Sequence, residues 1–221
     1  MKAVQTELKS NMTQGIDTLG SDHALETLLE GQLAAMNTLQ SCIPAIAKSA
    51  ASTIRSGGTL SYIGAGSSGL MALSDGLEIT GTFGVPMSQI KILFAGAPDT
   101  LFDMRGGPED DTDLAISDVE KAGLKAGDCA VLVSASGNTP YTLAALHALK
   151  QRGVKTIALA NNMPSALLND ADIPIHLDTP PEVIAGSTRM GAGTAQKVAL
   201  NMFSTLMGIE LGHIHDGLMV N

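Results

Sequence analysis

The sequence predicts an α/β fold, a three-layer sandwich built on a five-stranded parallel sheet with an N-terminal helical extension. Three observations predict it. Short apolar runs recur after residue 56, helical segments separate them, and glycine- and serine-rich turns follow the first and third runs. Strands that alternate with helices form βαβ units, which build a parallel sheet covered by helices on both faces.

A long helical pattern comes before the first strand. Ser21 and Asp22 offer an N-cap, and the apolar residues that follow recur near the 3.6-residue period as far as Ser56. Pro44 interrupts this pattern. Because proline lacks the N–H that a helix interior uses, we expect the helix to break or kink near residues 41–42.

The chain divides where the apolar pattern changes. Residues 1–20 are polar and are expected to form a loose arm, so 1–56 is read as an arm and helical extension and 57–221 as the main domain. Right-handed crossovers in that domain would bring ligand-binding loops to the carboxyl ends of the strands. The predicted strands are 59–66, 89–96, 129–136, 155–161 and 173–177. The predicted helices are 67–81, 113–124, 139–152, 163–170 and 187–211.

Composition and charge exclude several classes of protein. The 221 residues carry a net charge of −9 and only 3% aromatic residues, which argues against nucleic acid as a partner. No apolar run reaches the roughly 18 residues that span a membrane, and the N-terminus lacks the apolar core of a signal peptide. Cys42 and Cys129 have no metal-binding spacing, so we expect two buried thiols in a reducing compartment, the cytoplasm.

The turn after the first strand, GAGSSG at 64–69, matches the pattern G-x-G-x-x-G. A dinucleotide site of this kind also needs an acidic residue at the end of the second strand, and the first one here, Asp99, comes late. The hydroxyls of Ser67 and Ser68, with backbone N–H groups at a helix N-terminus, can instead hold a phosphate without a basic residue. A phosphomonoester is favoured, with a dinucleotide and a purely structural turn as alternatives.

The turn after the third strand, SASGNTP at 134–140, repeats this arrangement. Small hydroxyl residues end the strand, Gly137 allows a close backbone approach, and Pro140 suits a helix start. By itself the turn fits an ordinary helix N-cap as well, but two serine-rich turns at equivalent strand ends favour one shared anion site. Because the chain has only four arginines, hydroxyl and backbone donors would do most of the phosphate binding.

Here the chain resembles a known family. YIGAGSSG (62–69) and SASGNTPYT (134–142) resemble segments of the sugar isomerase (SIS) domain of phosphosugar-binding proteins, whose sheet is flavodoxin-like. With GLMVN (217–221), three further segments resemble the N-acetylmuramic acid 6-phosphate etherases, from about Ile16 to the last residue. These segments are SDGLEITGTFGVP (74–86), GGPEDD (106–111) and PEVIAGSTRMGAGTAQKVALNMFSTLMG (181–208).

The resemblance implies a lyase that cleaves a D-lactyl ether to give N-acetylglucosamine 6-phosphate and D-lactate. It implies that Glu109 takes the C2 proton of the open-chain sugar, while Glu78 helps the lactate oxygen leave and later helps deliver water. It also implies a sugar 6-phosphate ligand, no cofactor and a homodimer. The apolar surface of the long helices predicts a homodimer too, with the pocket near the interface. The residues expected to bind substrate and phosphate are Gly66, Ser67, Ser68, Ser134, Ser136, Asn138, Thr139, Glu182 and Ser187.

The local sequence agrees with these roles in part. Glu78 lies between two apolar residues, so burial there would favour the protonated form that a leaving-group acid needs. Glu109 lies in a loop rich in glycine, proline and aspartate, where an exposed position is expected; a surface glutamate is the alternative interpretation for both. His213 and His215 have no third ligand of matching pattern, so no metal is predicted, and a role in opening the sugar ring stays an alternative.

Three positions depart from the etherase pattern. Leu70, Asn138 and Gly191 stand where the family carries basic residues, so the pocket would offer fewer cations to a ligand with a phosphate and a carboxylate. Two other functions are therefore kept as alternatives. One is an aldose–ketose isomerase, which needs a base near C2 but no leaving-group acid, and the other is a non-catalytic sugar-phosphate sensor.

Overall fold

The computed structural model describes residues 4–13, 15–104 and 106–220. Its centre is a five-stranded parallel sheet in the order β2-β1-β3-β4-β5, which confirms the predicted α/β sandwich. Each strand lies inside one of the predicted apolar runs. The strands are β1 (Leu60–Gly64), β2 (Ile90–Phe94), β3 (Cys129–Val133), β4 (Lys155–Ala160) and β5 (Ile173–His176).

Helices cover both faces of the sheet and form two separate apolar cores. They are α1 (Ser21–Asn37), α2 (Ile43–Ser56), α3 (Gly66–Phe83), α4 (Thr112–Ala122), α5 (Pro140–Gln151), α6 (Ala166–Asp170) and α7 (Gly191–Glu210). Residues of α2, α3 and α7 share a core with Tyr62, and residues of α4, α5 and α6 share the other with Ile63. These two neighbours in β1 point to opposite faces, as strand geometry requires. None of the described helices is both long and apolar enough to cross a membrane.

The predicted break between the first two helices is confirmed. A 3₁₀ turn at Thr38–Cys42 separates α1 from α2, and Pro44 lies in the first turn of α2, where its missing N–H is not needed. The N-cap of α1 is Gly20 and not Ser21 or Asp22, because the extended backbone ends one residue earlier than the sequence suggested.

The N-terminal residues pack more closely than the sequence predicted. Three short 3₁₀ helices lie between residues 5 and 18, and the expectation of a loose arm is wrong for the first of them. Thr6 is only 1% exposed and its backbone N–H donates to Asn162 in the main domain. Leu39 and Ala50, from the predicted helical extension, belong to the same core as the sheet.

A short hairpin follows α7. Strand β6 (Ile214–His215) pairs antiparallel with β7 (Leu218–Met219). Asp216 and Gly217 form the turn with φ angles of 49° and 76°, which is the conformation that Asp-Gly pairs favour in two-residue hairpins. The Asp-Gly pair is the sequence signal for this hairpin, which was not among the predicted strands.

A buried carboxylate ties the sheet to two helices. Asp75 on α3 is 3% exposed and accepts hydrogen bonds from Tyr62 Oη at 2.8 Å, Asn201 Nδ2 at 2.7 Å and Ser204 Oγ at 3.0 Å. Burial raises the pKa of this carboxyl above its usual value, and the three hydrogen bonds oppose that increase. The stability contribution of Asp75 is therefore fully present below its unfolded-state pKa and is lost as the pH rises through the folded-state value.

We expect Tyr62→Phe to lower the free energy of unfolding by about 1.5–3 kcal/mol at pH 7, because the buried Asp75 carboxyl then loses one of its three hydrogen-bond donors. The loss should be smaller at pH 4, where more of the carboxyl is protonated in the folded state. Denaturant unfolding at both pH values measures the difference. Tyr141→Phe, which removes a hydrogen bond to the half-buried Asp118, is the matched control. An equal loss at both pH values for Tyr62→Phe would contradict the role given to the Asp75 charge.

Candidate functional site

A pocket lies at the carboxyl edge of the sheet, where the strand order reverses between β1 and β3. Open α/β sheets bind their ligands at such switch points. The cavity has a volume of about 330 Å³ and is formed by the loops after β1 and β3 together with segments distant in the sequence. Its lining residues are Thr6, Glu7, Ala65, Gly66, Ser67, Ser68, Glu109, Asp110, Ala135, Ser136, Asn138, Thr139, Pro140, Gly186 and Thr188.

The first loop is shaped by two glycines that bring α3 against β1. A Cβ atom on Gly69 would lie 2.8 Å from the ring of Phe94, and one on Gly64 would lie 2.9 Å from the Cα of Gly69. The close approach places Ser67 and Ser68 in the first turn of α3, facing the pocket. Among the described residues no side chain caps this helix, so its first N–H groups, which belong to residues lining the pocket, have no intrahelical partner.

The second loop is held rigid by its own side chains. Ser134 is 2% exposed, shares a hydrogen bond of 2.8 Å with the Thr139 hydroxyl, and accepts one of 3.0 Å from the N–H of Gly137. Asn138 donates its side-chain amide to the Ser136 carbonyl and accepts a hydrogen bond from a backbone N–H at the start of α6. Ser136, Asn138 and Thr139 thus line the pocket, while Ser134 lies beneath them as support.

A direct contact joins the two loops. The backbone N–H of Ala135 donates to Ser68 Oγ at 3.2 Å, and the carbonyl of Ala135 accepts from Asn162 Nδ2 at 2.7 Å. Helix α5 begins at Pro140, after Thr139, and like α3 it has no side-chain cap. Two uncapped helix N-termini therefore converge on one pocket, which favours an anionic ligand.

The pocket also holds carboxylates and lacks cations among the residues described. Glu109, on the 3₁₀ turn Gly107–Asp110, lines the cavity, and its Oε2 lies 3.5 Å from the position of a Cβ on Gly66. Glu7 and Asp110 line the same cavity, and none of the lining residues that the structure describes is Lys or Arg. A phosphate there would be held by hydroxyl and N–H groups, as the sequence predicted.

The structure does not bring Glu78 into this pocket. Glu78 is exposed on α3, twelve residues after Gly66, which is about 18 Å along the helix axis. The expectation that apolar neighbours bury it is wrong, because Leu77 is itself 51% exposed and only Ile79 turns into the core. Within one chain, Glu78 and Glu109 do not share a site.

Glu182 and Ser187 also lie outside the set of lining residues. Glu182 is 5% exposed, and its two oxygens accept the N–H groups of Gly191 and Ala192 at 2.9 and 2.8 Å. It therefore caps α7 and is not among the residues that line the pocket, and its contact with sugar hydroxyls stays a prediction. The negative charge of the carboxylate is stabilised at this position because it complements the positive N-terminal end of a twenty-residue helix. Gly186 and Thr188, on either side of Ser187, do line the pocket.

Two pocket residues, Thr6 and Glu7, lie outside every segment that the sequence singled out. Thr6 and Glu7 reach the pocket through contacts with residues more than 150 positions away, and no local pattern announced them. His213 Nδ1 forms a hydrogen bond with the Phe83 carbonyl, away from the pocket. In the part of the chain that the structure describes, no three His, Cys, Asp or Glu side chains cluster as a metal site.

The fold and the pocket together define a SIS-domain protein, and residues 112–206 match the family model described as SIS domain. The solved structure of a phosphoheptose isomerase from Francisella tularensis matches with a TM-score of 0.63 at 20% identity. It covers 86% of this chain and 100% of that chain, and so supports the fold.

Two relatives define the family more narrowly. An N-acetylmuramic acid 6-phosphate etherase from Deinococcus radiodurans is 39% identical over 209 residues, 93% of this chain and 68% of that protein. Another from Geobacillus sp. (strain WCH70) is 35% identical over 225 residues, 100% of this chain and 76% of that protein. The chain belongs to the N-acetylmuramic acid 6-phosphate etherase family, which confirms the resemblance in its motifs.

We expect Ser67→Ala to weaken the binding of inorganic phosphate about 5- to 15-fold, because one hydroxyl donor to the anion is lost. The thermal stability of the Ser67→Ala variant should stay unchanged, since the Ser67 hydroxyl is in the pocket and only partly buried. Calorimetric titration with phosphate measures the affinity. Ser74→Ala, on the exposed side of the same helix, is the control and should bind phosphate like the unchanged protein. Equal affinities for both variants would argue against a phosphate at the start of α3.

Proposed function

We propose that this protein is a carbon–oxygen lyase that cleaves the D-lactyl ether of N-acetylmuramic acid 6-phosphate, giving N-acetylglucosamine 6-phosphate and D-lactate. The observation that carries the proposal is the convergence of two serine loops, two helix N-termini and Glu109 on one pocket. Membership of the etherase family supports the choice of substrate.

The 6-phosphate would lie between the two loops. Ser67, Ser136 and Thr139 present hydroxyls there, and the first turns of α3 and α5 present N–H groups. Such groups bind a phosphate without a neighbouring cation, which suits a pocket in an acidic protein. The open-chain sugar would then extend from this anchor toward Glu109.

Glu109 would act as the base. The C2 proton of the open-chain sugar is acidified by the adjacent aldehyde, but its removal still needs a positioned carboxylate. As Glu109 takes that proton, the C2–H electrons form a C2–C3 double bond and the C3–O bond breaks. Lactate leaves with a proton on its oxygen. Water then adds across the double bond, which restores hydrogen at C2 and places a hydroxyl at C3.

Glu78 would supply the acid from a second copy of the chain. Asn201 lines an apolar groove between α2 and α7 and donates a hydrogen bond to Asp75 on α3. Glu78 lies one helical turn beyond Asp75 on the same helix. A partner that covers the groove would therefore come close to Glu78. In a twofold dimer each pocket would combine Glu109 of one chain with Glu78 of the other.

The apolar surface supports this homodimer. The groove between α2 and α7 has a volume of about 580 Å³ and includes Ile43, which is 49% exposed. Leu25, Leu29 and Leu33 recur every fourth residue along α1 and are 64%, 59% and 45% exposed. Exposed apolar residues and an apolar groove are both typical of surfaces that a partner covers.

The two cysteines support a reducing compartment, and we place the protein in the cytoplasm. Cys42 and Cys129 are both buried free thiols. Burial raises the pKa of Cys129 to about 11, so its thiol stays protonated and unreactive at neutral pH.

One observation favours an aldose–ketose isomerase as the second candidate. The pocket of a single chain contains Glu109, a base near C2, but not the acid that expels lactate. Leu70 and Asn138, which replace basic residues of the family pattern, also leave the lactyl carboxylate without a nearby cation from those positions. An isomerase would tolerate Glu78→Gln, and a sensor would tolerate the loss of both glutamates.

We expect the unchanged protein to release D-lactate from N-acetylmuramic acid 6-phosphate, and Glu109→Gln and Glu78→Gln each to lower the rate by about 10²- to 10⁴-fold. An enzymatic lactate assay measures the rate. Glu26→Gln, at an exposed position on α1, is the control and should keep full activity. Failure of the unchanged protein to release lactate would contradict the lyase.

Mixing the two inactive variants tests the shared site. If each pocket combines both chains, random exchange makes half of the dimers heterodimers with one intact site, so about a quarter of full activity should return. Refolding or prolonged incubation of the mixture, followed by the lactate assay, gives the result. A mixture as inactive as its components would place both glutamates in one chain's site.

A further inference from the structure

Hydrogen bonds through Asn162 connect the N-terminal segment around Thr6 to the second loop of the pocket. The Thr6 N–H donates to Asn162 Oδ1 at 3.1 Å, and the Thr6 hydroxyl accepts from Asn162 Nδ2 at 3.1 Å. The Thr6 carbonyl accepts the N–H of Gly186 at 3.0 Å. Because Asn162 also bonds the carbonyl of Ala135, the segment and the loop are held by the same side chain.

This attachment places Glu7 in the wall of the pocket. Its Oε2 lies 2.9 Å from the position that a Cβ on Gly186 would occupy. Gly186 has a φ of +76°, so both its backbone conformation and its lack of a side chain leave room for the carboxylate. Glu7 is exposed, and no side-chain donor pairs with it among the described residues, so its oxygens are available to a ligand.

The charge of the pocket limits what Glu7 can bind. A carboxylate repels a phosphate, and Glu109 and Asp110 already make the lining negative without a lysine or arginine among its described residues. Glu7 is therefore not a phosphate ligand. A carboxylate accepts hydrogen bonds, and the donors on a phosphosugar are its hydroxyls and, in an N-acetyl sugar, its amide N–H.

We propose that Glu7 determines specificity for the sugar part of the ligand by accepting a hydrogen bond from a hydroxyl or the amide N–H. This inference rests on the proposed function, since it takes a sugar 6-phosphate as the ligand. The phosphate loops would fix one end of the ligand, and Glu7 would select molecules that carry donors at the other.

The test compares two ligands on the full chain. Calorimetric titration gives the affinities of Glu7→Ala for N-acetylglucosamine 6-phosphate and for inorganic phosphate. We expect the sugar phosphate to bind about 10- to 100-fold more weakly, because a hydrogen bond to a charged acceptor is lost. Inorganic phosphate should bind equally well or a few-fold more tightly, because a repelling charge is removed. Glu7→Gln, which keeps a weaker acceptor, should fall between.

The control is Glu30→Ala, at an exposed glutamate on α1 that does not line the pocket, which should change neither affinity. Thermal unfolding of each variant checks that the fold is intact. A parallel loss of both affinities in Glu7→Ala would mean that Glu7 only supports the loop, and unchanged affinities would remove it from the site. Either result overturns the inference alone, whereas a lack of sugar-phosphate binding by the unchanged protein would overturn the proposed function as well.

Discussion

The hydrogen bond from the Ala135 N–H to Ser68 Oγ joins the two loops on which the site depends. It can form because β1 and β3 are adjacent parallel strands in register, with Gly64 opposite Val133, so their loops leave the sheet side by side. The glycines of the first loop bring α3 close enough for its first turn to reach the second loop. The position of the pocket therefore follows from the sheet itself.

An acidic chain would hold a phosphate in the proposed way through attraction that is local. The net charge of −9 opposes any anion at long range, and the described pocket lining adds carboxylates without cations. Hydroxyl and N–H groups act over a single hydrogen-bond length, and two helix dipoles add to them there. Such a pocket would discriminate by geometry, since a ligand must put its phosphate between the loops and its hydrogen-bond donors at the carboxylates.

The sequence predicted the parts of the molecule that depend on local pattern. Apolar runs located all five strands of the central sheet, Pro44 located the break between α1 and α2, and both serine turns line the pocket. Contacts between residues distant in the sequence determine the positions that local pattern did not predict. Glu182 caps a helix nine residues away, and the place of Glu7 depends on how Thr6 meets Asn162.

The orientation of helix α3 determines that Glu78 is exposed. The residues beside it in the sequence suggested a buried position, but the core contacts of α3 run through Ala72, Ile79 and Phe83. Glu78 therefore lies on the outer side of the helix, where only another molecule can bury it. Local pattern distinguishes an apolar neighbour from a polar one, but it does not fix which side of a helix meets the sheet.

The most direct measurement for the phosphate site is a crystal structure with N-acetylglucosamine 6-phosphate bound. We expect the phosphate between the two loops, with oxygens about 2.7–3.0 Å from the hydroxyls of Ser67 and Ser136 and from N–H groups at the start of α3. We also expect the sugar C2 on the side of Glu109. A phosphate bound elsewhere, or one held mainly by lysine or arginine side chains, would rule out this phosphate site.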